Sequence, residues 1–293
     1  MDNRFVRVGI RPTPILDRKK IRRREKRPIL SIAVLAVIVL GCLLCNLFIP
    51  KDPAYMDFYH VDTAPHGEFL FGTDTMGRDI FSMIWYGGRV SLFIGFFAAL
   101  ISTVVAILFG TISALAPKWL DNLLMRLTEI FLSIPNLLLV ILIQAVLGQA
   151  NVFSISFVIG MTGWTSIAKV VRTDVRQIRN SEHVIAARCM GAGFFRILWK
   201  HLVPKLMSSI MFMVVMNIRS AIVAESTLSF MGIGLPFSTI SWGSMLSLAE
   251  RSLLSGSWWT ILIPGIFLIV TILCITDIGN YLQKGGSWRH SNL

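Results

Sequence analysis

The sequence predicts an all-α polytopic membrane protein with six transmembrane helices. Its 293 residues are 54% hydrophobic and only 15% charged, with a mean hydropathy of +0.68, where an ordinary soluble domain carries roughly 25% charge. The apolar residues gather into runs long enough to cross a bilayer, and in hydrocarbon a helix satisfies its own backbone polar groups. Lys and Arg collect on alternate connections between those runs, the bias that orients membrane proteins.

The first run, Ile29 to Ile49, is about 31 Å long at 1.5 Å per residue, enough to span the hydrocarbon. A cleaved signal peptide has a shorter apolar core and a short basic lead, whereas this run follows a long polar tail, so it is read as a retained helix. The tail, residues 1–28, carries Arg4, Arg7, Arg11, Arg18, Lys19, Lys20, Arg22, Arg23, Arg24, Lys26 and Arg27. That charge places it in the cytoplasm and suits it to anionic lipid. Residues 50–89 then form an external segment in which Asp52, Asp57, Asp62, Glu68, Asp74 and Asp79 outweigh Lys51, Arg78 and Arg89. Its last part, Asp79 to Tyr86, is amphipathic and contains Trp85, the composition of a helix lying at the interface.

Five further runs, Val90–Ala116, Leu123–Leu147, Val152–Val171, Leu206–Phe230 and Trp258–Leu282, make a five-helix core over residues 90–282. Pro135 and Pro264 fall inside two of them and are expected to kink them, with the freed carbonyls satisfied by neighbouring helices. The connections assigned to the inside carry Lys118, then Lys169, Arg172, Arg176, Arg179, Arg188, Arg196, Lys200 and Lys205, then Lys284 and Arg289. An even number of spans puts both termini, residues 1–28 and 283–293, in the cytoplasm. The inside loop over residues 172–205 is far longer than a joining turn, and long connections are commonly functional.

A net charge of +12 does not make a nucleic-acid binder, because the basic residues flank apolar runs and form no solvated stripe with stacking aromatics. Cys42, Cys45, Cys189 and Cys274 fall in no external segment, so no disulfide framework is implied, and Cys42 and Cys45 read as packed or lipid-facing thiols. The sequence holds no phosphate-binding loop, zinc-protease helix or nucleophile elbow, so an enzyme reading has nothing to stand on. His60 and His66, near Asp57, Asp62 and Glu68, lack fixed ligand spacing and read as a solvated acidic loop with no metal. Met207, Met211, Met213 and Met216 are irregularly spaced and read as core packing.

The inside loop from Glu182 to Pro204 reads as a short helix with a small face at Ala186 and Ala187, a break at Gly191 and Gly193, then an amphipathic helix ended by Pro204. Small residues admit close approach of another surface, and the glycines admit a sharp reversal. These residues resemble the cytoplasmic signature of the permease subunits of ABC importers: Glu-Ala-Ala, three residues, Gly, nine residues, then Ile, any residue and Leu-Pro. Ile185 replaces the Glu, His201 the Ile and Val203 the Leu, while Ala186, Ala187, Gly191 and Pro204 keep the spacing. Ala186-Ala187-Arg188, Gly191 and the His before the Pro match the peptide and nickel branch more closely.

A second stretch, Phe71 to Asp79 with Gly72, Thr73, Asp74, Gly77, Arg78 and Asp79, continues into Tyr86-Gly-Gly-Arg-Val-Ser-Leu92. It is similar to the segment ahead of the second span in the C-type permeases of dipeptide, oligopeptide and nickel importers. A third, Glu225 to Gly234 with Ser241-Trp242-Gly243, is similar to that family's stretch after its fifth span. The resemblance runs from Phe71 to about Leu282. Two departures stand out: Pro236 is the lone proline before Ser241, and Thr276 to Lys284 differs from the family's usual ending.

The resemblance implies a type I ABC importer permease in the inner cell membrane, working with a second (B-type) permease, two ATPase subunits and an extracytoplasmic substrate-binding protein. ATP and Mg would sit on the ATPases, with no cofactor on this chain. The inside loop would be a coupling helix seated in an ATPase cleft, with Glu182, Ala186, Ala187, Arg188, Gly191, Arg196, His201 and Pro204 as its contact and hinge positions. Peptide is the expected cargo, and nickel or a metal chelate is the alternative. A stand-alone secondary transporter would need intramembrane carboxylates for ion coupling, and Glu129, Glu225 and Asp277 are what the spans offer.

A charge within a span costs roughly 2.5 to 3.5 kcal/mol on insertion scales and needs a reason. Arg126 and Glu129, at i,i+3 near one end of the third span, are placed to pair with each other. Arg219 falls near the middle of the fifth span, and Glu225, six residues on, faces another side, so the two do not pair within a straight helix. Both are candidates for the translocation path. For Arg219 a structural interhelix bond is the other reading.

Overall fold

The computed structural model describes residues 28–49, 51–191, 193, 203–252 and 256–290. Among them the regular structure is helical, apart from one isolated β-bridge between Thr73 and Asp79. In chain order the helices are α1 (Ile29–Phe48), α2 (Ile80–Leu115), α3 (Lys118–Ser133), α4 (Asn136–Leu147), α5 (Val152–Arg179), α6 (Glu182–Cys189), α7 (Val203–Phe230), α8 (Trp242–Ser252) and α9 (Trp259–His290). By length and apolar composition α1, α2, α5, α7 and α9 each suffice to cross a membrane. The bent pair α3 and α4 supplies a sixth crossing when taken as one span. The basic tail over residues 1–27 lies outside the described residues.

Asp79 to Tyr86, expected along the interface, are instead the opening turns of α2, which runs 36 residues without a break. Asp79 caps it, its carboxylate accepting from the Ser82 backbone N–H at 3.0 Å. Gly87 and Gly88 do not end the helix, because their bare faces are where neighbours close in. A Cβ on Gly88 would stand 2.5 Å from Cys42 Sγ and 2.8 Å from the Trp242 ring.

The third span is broken where a kink was expected. Pro135 holds Ile134 in extended backbone, φ −93° and ψ 130°, and α3 and α4 meet at 93°. Pro135 stands just ahead of α4, where a missing N–H costs little, so the chain stops and restarts. Pro264, by contrast, lies inside the continuous α9.

α5 begins with a reciprocal cap between Asn151 and Ser154 and continues past Val171 to Arg179, so the first part of the expected inside loop is helix. Pro204, expected to end a helix, stands in the first turn of α7, a position that needs no N–H.

Among the described residues the buried apolar side chains form three clusters. Ile38 and Cys42 of α1 pack with Ile80, Met83 and Ile84 of α2, Trp242 of α8 and Trp259 of α9. Ile94 and Ala98 of α2 meet Val140 of α4, Val158 of α5 and Ala221 of α7. Ala106 and Ala114 of α2 join Val171, Val175 and Ile178 of α5, Val184 of α6 and Ile210 of α7. The methionines of α7 divide: Met213 packs on this last cluster, whereas Met207 and Met211 are exposed, which corrects their reading as core. Val223, further along α7, is exposed as well among the described residues.

Candidate functional site

α6 is short, and an isolated helix of its length is unstable in water. It is held by Val184, which is 1% exposed within the α5–α7 cluster. Its other side is bare: Ile185, Ala186, Cys189 and Met190 are exposed, Met190 to 81%, as is Glu182. Gly191 follows with φ +79°, a left-handed conformation that reverses the chain and that other residues adopt at a cost. Arg196 and His201 lie outside the described residues, as do the side chains of Ala187, Arg188 and Pro204. Among its described side chains α6 is therefore anchored to the core through Val184, with an apolar face outward.

Above it, three helices are fastened through one carboxylate that the sequence reading passed over. Asp121 of α3 is buried and accepts from Arg172 Nε at 2.6 Å and a terminal nitrogen of Arg172 at 2.7 Å. Arg176 adds an ion pair at 2.7 Å, and the Ser113 hydroxyl of α2 donates at 2.6 Å. Bidentate geometry makes such a clamp directional as well as charged. By contrast Arg126 and Glu129 pair at 3.2 Å on an exposed surface.

The motif over residues 72–79 folds into a knot. Asp74 receives the backbone N–H groups of Met76 and Arg78 at 2.9 and 2.8 Å, and the Arg78 Nε at 2.8 Å. Both side chains are nearly fully buried. Gly72 and Gly77 have φ of +76° and +72°, and a Cβ on Gly77 would meet the Asp57 carbonyl oxygen. Thr73 bonds to Thr63 and His60, and Trp259 Nε1 donates to the Thr73 carbonyl at 3.1 Å. The motif thus ties the capped start of α2 to the start of α9. His60 Nδ1 lies 2.8 Å from Asp57 Oδ2; this bond, with the Tyr59 backbone N–H, holds the Asp57 carboxyl below its ordinary pKa.

Polar groups also meet inside the membrane-spanning part. The break between α3 and α4 opens on a cavity of about 460 Å³ against α5 and α7, lined by Asn136, Thr162, Ser166, Asn217 and Ser220 among apolar neighbours. The Asn217 Nδ2 is buried without a hydrogen-bond partner among the described residues. Helix ends within a membrane survive where they line such a cavity. A larger cavity, about 760 Å³ between α1, α2, α7 and α9, is apolar apart from Arg89.

Glu225 lies outside that lining. It is 0% exposed and accepts from the hydroxyls of Ser91 and Ser229 at 3.0 Å each and Ser226 at 3.4 Å. The Trp242 backbone N–H donates in turn to Ser91 Oγ at 3.2 Å, so Glu225 joins α2, α7 and the start of α8. Arg219 does not pair with it. Arg219 is half-buried on α7, its Nε without a partner among the described residues.

Residues 106–285 match the family model described as binding-protein-dependent transport system inner membrane component. The dipeptide transport system permease protein DppC of Bacillus subtilis (strain 168) is 33% identical over 261 residues, 89% of this chain and 81% of the relative. The oligopeptide transport system permease protein OppC of the same organism is also 33% identical, over 89% of this chain and 85% of the relative. In structure, the chain is similar to the inward-facing MetNI methionine ABC transporter, with a TM-score of 0.58 at 15% identity over 70% of this chain and 96% of that one. At that identity the likeness speaks to fold alone.

Proposed function

The chain belongs to the binding-protein-dependent transport system inner membrane components, and from that premise we propose that it is the permease through which an ATP-driven importer takes up di- or oligopeptides. It is a multi-pass permease component of an ABC importer. Peptide is preferred to nickel because the relatives at 33% identity are named for dipeptide and oligopeptide transport. The remaining subunits in this reading are a second permease, two ATPases that hold ATP and Mg, and an external binding protein. This chain supplies no ATP site, and both of its termini and α6 face the cytoplasm of the inner membrane.

The observation that carries the reading is α6, buried through Val184 and bare through Ile185, Ala186 and Met190. An apolar face on a short, core-anchored helix is a handle for a partner surface. Because α5 runs into α6 with only Asn180 and Ser181 between, a push on α6 moves α5 and, through Asp121, α3. That couples nucleotide-driven closure of the ATPases to the cavity at the α3–α4 break. There Asn136, Asn217 and Ser220 offer amide and hydroxyl groups to any peptide backbone, whatever its side chains.

Arg219 completes the reading. A cation near the middle of a membrane-spanning helix, its Nε unpartnered among the described residues, does not face lipid, given its cost there. It faces the second permease or the aqueous path between the two. Glu225 acts as the joint that keeps α7 and α8 together beside that path. The test is uptake of labelled di- and tetrapeptides by proteoliposomes holding the assembled importer. Uptake should require ATP and binding protein and should collapse with Ile185→Arg, and ATP-independent uptake or normal uptake by that variant would overturn the assignment.

A further inference from the structure

A cavity of about 620 Å³ opens between the end of α2, the start of α3 and the end of α5. Lys118, Arg172, Arg176 and Arg179 line it, against Asp121 as the one acid in the lining, with the amides of Asn122 and Asn180 beside them. Asp121 is taken up by Arg172, Arg176 and Ser113. Lys118 and Arg179 have no partner among the described residues and are exposed. Pro117 precedes α3 with no side-chain cap, so the free N–H groups of its first turn add positive potential at the same place.

Depth and surroundings specify the occupant. Counted from Val152 at the far end of α5, Arg172 lies about 30 Å along the helix, at the inner limit of the hydrocarbon, and Arg176 and Arg179 lie beyond it. The cavity therefore sits at headgroup level. Leu108, Ile112 and Leu115, all exposed on one face of α2, lead down to Ala116 at its edge. Trp119, next to Lys118, is 68% exposed, in the place that interfacial tryptophans take. An apolar track ending in a cationic cavity fits an acyl chain and its phosphate.

We propose that this cavity binds the headgroup of an anionic phospholipid from the leaflet on the α6 side, with Lys118 and Arg179 on the phosphate and Arg172 and Arg176 shared between it and Asp121. A lipid seated there would brace α3 against α5 at the root of α6.

The test is native mass spectrometry of the full chain released from nanodiscs of mixed phosphatidylglycerol and phosphatidylcholine, comparing wild type, Lys118→Gln/Arg179→Gln and Arg126→Gln. Neither cavity substitution touches the Asp121 clamp, and Arg126 is a surface cation outside the cavity. Retained phosphatidylglycerol should fall by about tenfold in the double variant only, with phosphatidylcholine unchanged. Equal retention by wild type and the double variant would overturn the proposal. Equal loss in Arg126→Gln would reduce it to diffuse surface attraction. Displacement of the lipid from wild type by millimolar inorganic phosphate would make it a free-anion site, and its loss from chain copurified with partner subunits would make it a protein interface.

Discussion

Asp121 and Arg172, 51 residues apart in the chain, meet through two parallel bonds of 2.6 and 2.7 Å and so fix the start of α3 to the end of α5. Asp121 is buried, but Arg172 and Arg176 keep side-chain exposures of 22% and 40%, so water takes over part of their charge when the acid is removed. Asp121→Ala is expected to cost about 1.5 to 3 kcal/mol, read as a lowered thermal unfolding midpoint in detergent. A midpoint equal to wild type would mean that water already solvates the cluster.

Glu225 separates a joint from a path residue. Glu225→Ala leaves the buried hydroxyls of Ser91 and Ser229 without their acceptor, for a loss of about 2 kcal/mol. Glu225→Gln keeps the shape and an acceptor oxygen, so its midpoint should fall less. Its uptake should follow its folded fraction, and a stable Gln variant without transport would put Glu225 in the path.

Gly88→Ala places a methyl 2.5 Å from Cys42 Sγ, so α1 must move. The expected loss is about 1 to 3 kcal/mol by overpacking. Cys42→Ala in the same chain should recover part of it, the Trp242 contact keeping the rest, and strict additivity in a double-mutant cycle would show that the two sites do not touch.

Gly191→Ala and Gly193→Ala form a matched pair. Both positions have open space around them, but Gly191 alone of the two has positive φ. The strain of about 1 kcal/mol falls where α6 turns back, so Gly191→Ala should lower uptake per ATP hydrolysed with little change in midpoint. Gly193→Ala should do neither, and identical behaviour of the two would remove the turn from coupling.

The knot that contains Asp57 has an acid limit. His60 and the Tyr59 N–H hold Asp57 below its ordinary carboxylate pKa, so its contribution is present above the unfolded value and is lost as pH falls through the folded one. Protection of the residue 55–79 backbone from hydrogen exchange should therefore weaken below about pH 4. Asp57→Asn should show weak protection already at neutral pH, and an unchanged profile in that variant would place the acid sensitivity elsewhere.

Much of this was legible along the chain. Apolar runs set α1, α2, α5, α7 and α9, because hydrocarbon thickness fixes how many residues a span needs. Pro135 marked the α3–α4 break but not its 93° angle, since a proline within a helix and one just ahead of a helix look alike in sequence. Asp79 to Tyr86 read as an interface helix, whereas the helix runs on through Gly87 and Gly88, where Ile240 and Ser241 close on the one and Cys42 and Trp242 on the other. The small residues of the inside loop pointed to a contact surface, yet nothing local distinguished Val184 as its anchor. The Asp121 clamp was invisible for the same reason: its partners lie in other helices.

The bond from Trp259 to the Thr73 carbonyl spans 186 residues and bears on biogenesis. α9 leaves the ribosome after α1 to α8, so this contact stays open while all of those helices are made. Until then the Thr73 carbonyl and the Gly72 hollow that receives the indole lack their closing piece. A chain cut short before Trp259 carries that gap permanently.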